Sequence, residues 1–230
     1  MSFRIGFDMD GVLADFGAAF HAVEGRLFPD APALSAGEPE AEAVAQEAPP
    51  ESQAKADGPY EMRRRREAIW AEIRRTPDFW TTLQPTEAGS VHTLHRLMLR
   101  HRWEVFFITQ RPATDGDTVQ RQTQHWLVAQ GFDLPSVLVI AGSRGAAAGA
   151  LRLDYHVDDS QQNCLDVMAA SRARPILIAT GPEKVGQTAR KMGMAHFPTI
   201  GPALDLLDQV SSARTNPPLL KRLAAMVGWR

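Results

Sequence analysis

What this sequence lacks narrows it first. One cysteine, Cys164, stands in 230 residues, so no internal disulfide can form and a reducing, cytoplasmic compartment is the expectation. Its expected role is that of a small buried apolar side chain. No apolar run is long enough to cross a bilayer, and Arg4, Asp8 and Asp10 interrupt the N-terminus before a secretory apolar region can form. The formal net charge of −2 supplies no basic field for gripping a nucleic-acid polymer. Between Pro29 and Pro59 large apolar residues are nearly missing, and Ala, Glu, Pro, Gln and Ser dominate. Too little apolar surface is left there to offset the entropy of ordering the chain, which reads as a mobile acidic loop. A tolerated surface insertion explains it, and a tail for a partner is the alternative. At 44% hydrophobic, the chain as a whole suffices for one sizeable core and a smaller accessory unit, with a small molecule as substrate.

The chain is organised around Phe7-Asp8-Met9-Asp10-Gly11-Val12-Leu13-Ala14-Asp15-Phe16. The apolar run before it, Phe3 to Phe7, suits a buried strand, so the acidic residues fall at that strand's carboxyl end, where open α/β sheets bind ligands. A chain that turns at Gly11 can send one carboxylate towards a metal and swing the other over a substrate. Taken alone, Asp8 and Asp10 are equally well read as capping residues of a strand-to-loop junction.

Phe16, Ala19, Phe20, Val23 and Leu27 recur at helical spacing, so this motif feeds a helix. After the acidic loop, Met62, Ile69, Trp70 and Ile73 form an apolar stripe on a second helix. The four arginines from Arg63 to Arg66 fan out around that helix and cannot all face one ligand, which makes them a solvated surface. Thr76-Pro77 reads as a helix start carrying Phe79 and Trp80, aromatics that suit either a core or the apolar wall on which a nucleobase stacks. Thr86-Glu87 opens a helix with Val91, Leu94, Leu97 and Met98 on one face, ahead of a strand from Trp103 to Ile108. Thr109, Gln110, Arg111 and Pro112 follow that strand. Asp115 to Gln130 reads as a helix, Val137 to Ile140 as a strand, and Gly142-Ser143-Arg144-Gly145 leads into a small-residue helix ending at Leu153. Another strand brings Asp158-Asp159-Ser160 to its end; alone, this is a helix cap and its neighbour. His156, on that strand, is given no metal role. Pro175 to Ala179 is a fifth strand, Val185 to Met192 and Leu204 to Val210 are helices, and the tail from Ser211 docks on the body or on a second subunit, which leaves a homodimer open.

Asp-Met-Asp-Gly-Val-Leu-Ala-Asp-Phe resembles the first motif of the haloacid dehalogenase-like (HAD) phosphohydrolases, and within them the 5'(3')-deoxyribonucleotidases. The downstream residues recur in the order of that family's four motifs, each after a separate strand. The resemblance implies an α/β, Rossmann-like, mainly parallel sheet with a small inserted helical cap: a catalytic core from residues 1–16 and 86–212, a cap from 17–85 with its loop at 29–59, and a tail from 213–230. It further implies a Mg²⁺-dependent phosphomonoester hydrolase. Asp8 is then nucleophile and metal ligand, Asp10 is acid/base and metal ligand through its carbonyl, and Asp158 and Asp159 complete the metal set, with Asp159 favoured for direct contact. Phe-Ile-Thr-x-Arg-Pro places Thr109 on the substrate phosphate with Gln110 beside it, and leaves Arg111 either on the phosphate or bracing its loop. The family's third motif carries a lysine, and this chain has none there. Arg144 is the replacement cation, with Arg152 a weaker second, and arginine is not interchangeable with lysine. Phe16, Phe79 and Trp80 are assigned to a base pocket, ahead of Leu83-Gln84-Pro85. A nucleoside 5'-monophosphate is the first-choice substrate and a small sugar or cofactor phosphate the next. A catalytically silent phospho-ligand-binding protein is the reading from another class, and the presence of Asp10 argues against it.

Overall fold

Short apolar runs that alternate with amphipathic helices make a parallel sheet covered on both faces. In a computed structural model, residues 2–34, 57–181, 183–213 and 217–229 are described. Among these residues the strands are β1 (Arg4–Phe7), β2 (Glu104–Thr109), β3 (Ser136–Val139), β4 (Tyr155–Asp158), β5 (Arg174–Ile178) and β6 (Ala195–Phe197), joined in the order β3-β2-β1-β4-β5-β6. Every pairing is parallel. The chain steps outward from β1 to β3, then crosses back to lay β4 on the other side of β1, so the strand order reverses at β1. A crevice opens at the carboxyl ends of the strands at that reversal, and Asp8 follows β1 directly into it.

The helices are α1 (Phe16–Leu27), α2 (Asp57–Arg75), α3 (Ser90–His101), α4 (Val119–Ala129), α5 (Arg144–Ala150), α6 (Gln161–Ala170), α7 (Glu183–Lys191), α8 (Ile200–Ser212) and α9 (Pro217–Val227). One apolar cluster runs from Phe7, Phe107 and Val157 on the sheet to Phe20 on α1 and Ile69, Trp70 and Ile73 on α2. The inserted helices therefore share the core of the sheet. On the opposite face Ile108, Ala148, Leu153, Val167 and Ala173 form a second cluster.

Several boundaries differ from the sequence expectation for identifiable reasons. Thr76 ends α2 instead of starting a helix: its amide and hydroxyl both reach the Glu72 carbonyl (3.0 and 2.9 Å), and Pro77 cannot extend the ladder. Phe79–Thr81 is a 3₁₀ turn instead. α3 starts at Ser90, because Thr86 is engaged elsewhere, its hydroxyl donating to the Val12 carbonyl at 2.7 Å. α4 starts at Val119, capped by Thr118, since Gly116 sits at φ 96° in the preceding loop. The three-residue β6 was not anticipated; it is too short, and half-buried His196 breaks its apolar pattern. The tail docks on the body: Trp229 packs on Tyr155 with ring centroids 5.2 Å apart and donates to the Pro175 carbonyl at 3.3 Å. Most of the acidic loop expected at 29–59 lies outside the described residues.

Candidate active site

The turn after β1 is built by its own backbone. Asp8 N–H donates to the Val157 carbonyl (2.8 Å), extending the ladder to β4 by one residue, and Met9 O then accepts from both Leu13 and Ala14. Asp15 closes the turn by capping α1, its carboxylate accepting from the Ala18 amide at 2.8 Å. The returning segment locks onto the same turn: Asp15 N–H donates to Gln84 O and Thr86 N–H to Leu13 O, 2.8 and 2.9 Å. Gly11 sits at φ 78°, and a Cβ there would stand 2.0 Å from the Asp159 carboxylate. Gly11 thus admits the left-handed backbone and also the close approach of β4's last loop. Gly11→Ala is expected to displace Asp159 and cost about 1–2 kcal/mol of stability; thermal melts of the purified variant measure it.

A cavity of about 460 Å³ collects the strand ends, within the range of small-molecule sites. Asp8, Asp10, Thr109, Gln110, Arg144 and Asp159 all line it, although β1, β2, α5 and β4 deliver them from separate parts of the chain. Asp8 and Thr109 are buried, and Asp159 is exposed. Arg144 opens α5 with its guanidinium 3% exposed, donating to Asp8 Oδ1 at 2.9 Å, and its Nε lies 3.8 Å from Asp158. Small residues permit this placement: a Cβ on Gly145 would meet the Asp166 carbonyl at 2.2 Å, so α5 lies directly against α6. The Arg144 Nε and Nη1 groups are buried and make no hydrogen bond within the protein. Burial first, and then the neighbouring Asp158 carboxylate, push the Asp8 carboxyl well above the usual carboxylate range. Arg144 opposes that shift, and Asp10 and Asp159 add to it.

Asp158 does not line the cavity. It is fully buried and spends its oxygens on the Ser160 amide (2.9 Å), Asn163 Nδ2 (3.1 Å) and His156 Nε2 (2.9 Å). Between the two adjacent aspartates, the geometry leaves Asp159 as the one facing the cavity. Arg111 likewise does not line it. Its Nε and Nη2 grip Asp10 Oδ2 and Oδ1 (2.8 and 2.6 Å), its Nη1 donates to Thr123 Oγ1 (3.0 Å), and the guanidinium lies 4.6 Å over the Trp80 ring. Of its two expected roles, bracing agrees with these contacts and phosphate binding does not. Arg152, the weaker substitute for lysine, is exposed on another surface.

The aromatic wall differs in membership from expectation. Phe16 and Trp80 line the cavity, together with Trp70 from α2, whose ring stacks on Phe16 with centroids 5.3 Å apart. Phe79 lies outside the lining and supports Trp80 edge-on (5.2 Å, 82°). The opposite wall comes from Ile178, Thr180, Pro198, Thr199 and Ile200, which sequence reasoning missed. A signal existed for Thr180, which directly follows the expected fifth strand; Thr199 follows β6, which the sequence does not announce. Cys164 is fully buried, and that burial pushes its thiol far above the ordinary range, which fits an inert packing role.

No family model matches the chain, and no curated protein matches it by sequence. Solved structures do resemble it. A protein from Thermotoga maritima described as a β-phosphoglucomutase superposes with a TM-score of 0.53 at 16% identity, over 90% of this chain and 99% of its own. A HAD family hydrolase from Deinococcus radiodurans R1, with bound phosphate and sodium, gives 0.53 at 15% identity over 100% and 99%. At these identities the likeness shows the fold, which is the Rossmann-like fold of HAD hydrolases.

Proposed function

We propose that this chain, folded as HAD hydrolases are, is a phosphomonoester hydrolase that works through an aspartyl-phosphate on Asp8. The observation that carries the proposal is the pairing of a buried carboxylate with a guanidinium whose two remaining groups make no hydrogen bond within the protein, in a cavity that also holds Asp10 and Thr109. Arg144 is a ready anion site, with donors already desolvated and oriented. The phosphate bound in the Deinococcus hydrolase supports the same substrate chemistry.

In the reaction Asp8 Oδ attacks phosphorus as the ester P–O bond breaks, and a carboxyl proton on Asp10 passes to the departing oxygen. Asp10, now a carboxylate, takes a proton from water as that water attacks the aspartyl-phosphate. Orthophosphate leaves, and Asp8 is regenerated. Thr109 and Arg144 hold the transferred oxygens. Magnesium fits the donor chemistry present: among the described residues no three acidic, His or Cys side chains converge, but Asp8, Asp159 and the Asp10 carbonyl offer hard oxygens. Burial raises Asp8 most, and the crowding of carboxylates that adds to it also calls for a cation. When bound, Mg²⁺ supplies positive charge that offsets repulsion between the nucleophile and an anionic ester.

The leaving group meets Phe16, Trp70 and Trp80, an apolar aromatic wall suited to a nucleobase, so nucleoside 5'-monophosphates are the proposed substrates. A phosphatase screen over nucleotides, sugar phosphates and cofactor phosphates, with Mg²⁺ and with chelator, tests this. The expected result is chelator-sensitive hydrolysis with kcat/KM at least about tenfold higher for a nucleotide than for any sugar phosphate. Preference for a sugar phosphate would overturn the pocket assignment, chelator-insensitive turnover the metal, and binding without turnover the enzymatic reading.

A further inference from the structure

Arg111 is the best-engaged cation near the cavity, yet the proposed chemistry gives it nothing to do. Its side chain is 1% exposed, and every guanidinium nitrogen is occupied, two by Asp10 and one by Thr123. Asp10 is 25% exposed at the cavity. The buried fork therefore holds the carboxylate from behind and leaves the substrate side open. The same guanidinium rests on the ring of Trp80, whose indole N–H is fixed by the Pro112 carbonyl (3.1 Å) and whose amide is fixed by Gln122 (3.1 Å). Trp80 also lines the cavity.

We infer that Arg111 is a positioning residue for proton transfer to the leaving group, orienting Asp10 and tying it to the aromatic wall through Trp80. The inference rests on the phosphatase reading above. A bidentate fork fixes both the position and the plane of a carboxyl group, where a single contact would leave it free to rotate. Arg111 thus holds Asp10 in the orientation from which the proton reaches the departing oxygen as the P–O bond breaks and phosphorus passes to Asp8. Thr123 Oγ1, itself donating to the Val119 carbonyl (2.8 Å), fixes the roll of the guanidinium plane and so the direction of the fork.

The test uses the leaving group. An alkyl phosphate such as a nucleoside 5'-monophosphate needs a proton on its departing oxygen, whereas p-nitrophenyl phosphate expels a stable phenolate with little help. Since kcat/KM reports only steps up to leaving-group departure, hydrolysis of the intermediate does not enter. Arg111→Ala is expected to lose about 10²-fold in kcat/KM on the alkyl ester and under about tenfold on the aryl ester, mainly in kcat. Arg111→Lys, which keeps the charge and loses the fork, should show the same selectivity at smaller size, and Thr123→Val, nearly isosteric, should show it in milder form should either arginine variant misfold. Added guanidinium should restore the alkyl-ester rate of Arg111→Ala. Equal losses on both esters, or a selective rise in KM and in the dissociation constant for orthophosphate, would overturn the inference by marking Arg111 as structural or as a phosphate ligand. A wild-type protein inactive on both esters would instead remove the phosphatase reading itself.

Discussion

Asp8→Asn is expected to abolish turnover, by at least about 10⁴-fold, while making the cation-free protein harder to unfold. The first effect follows from losing the attacking oxygen's charge, and the second from the burial of Asp8 among other carboxylates. Asp8 is buried among Asp158, Asp10 and Asp159, and the single favourable partner, Arg144, does not outweigh them. Its folded pKa lies above its unfolded one, so the native state binds that proton more tightly. The carboxyl then costs nothing below the ordinary carboxylate range, and its cost grows as pH rises from there to the raised folded value, remaining in force above it. The amide keeps an oxygen to accept from Arg144 Nη2 and removes the charge. Melting temperatures of the two proteins should therefore coincide near pH 4 and separate by a few degrees at pH 7–8, on the order of 1 kcal/mol, with the variant higher. Added Mg²⁺ should raise the wild type more than the variant. A variant that melts lower at neutral pH would show that the Arg144 pair stabilises the site on balance.

Arg144→Met is expected to lower kcat/KM by about 10³-fold and to weaken orthophosphate binding in parallel. Two separate contributions sum here. The Nε and Nη1 donors that make no hydrogen bond within the protein are removed, and Asp8 loses the one neighbour that favours its ionised form. The second contribution has a sign that can be checked. Asp8 must be ionised to attack, so without Arg144 its pKa rises further and the acid limb of the kcat/KM profile should move to higher pH. Arg144→Lys keeps a charge but forfeits the fork, and an intermediate loss of about tenfold is expected. Undiminished orthophosphate affinity in Arg144→Met would place the phosphate grip elsewhere in the cavity.

How much of this could be read from residues alone depends on the range of the interaction. Asp8, Asp10 and Gly11 are neighbours in sequence, and a strand followed by a glycine turn announces itself locally. Arg144 stood out only through the family resemblance, which calls for a cation after β3 where this chain has no lysine. Contacts that join distant segments were harder to see: the Arg111 fork spans 101 positions to Asp10 and depends on the loop's path, so phosphate binding and bracing were equally good readings. Phe79 and Trp80 are adjacent, and the 3₁₀ turn sends them to different surroundings, one behind the wall and one in it. Trp70 read as core because helical spacing cannot distinguish a core from a cavity wall that the same stripe also lines. His156 and Asp158 lie two apart on a strand and so share a face, but that period says nothing of the hydrogen bond that the structure shows between them.

The central claim is a covalent phosphoryl group on Asp8, and rapid acid quench during turnover followed by borohydride reduction and peptide mass spectrometry tests it most directly. The account predicts that Asp8 alone is converted to homoserine, in the wild type and not in Asp8→Asn. Steady hydrolysis with Asp8 unmodified throughout, or with the phosphoryl group found on another side chain, would contradict it.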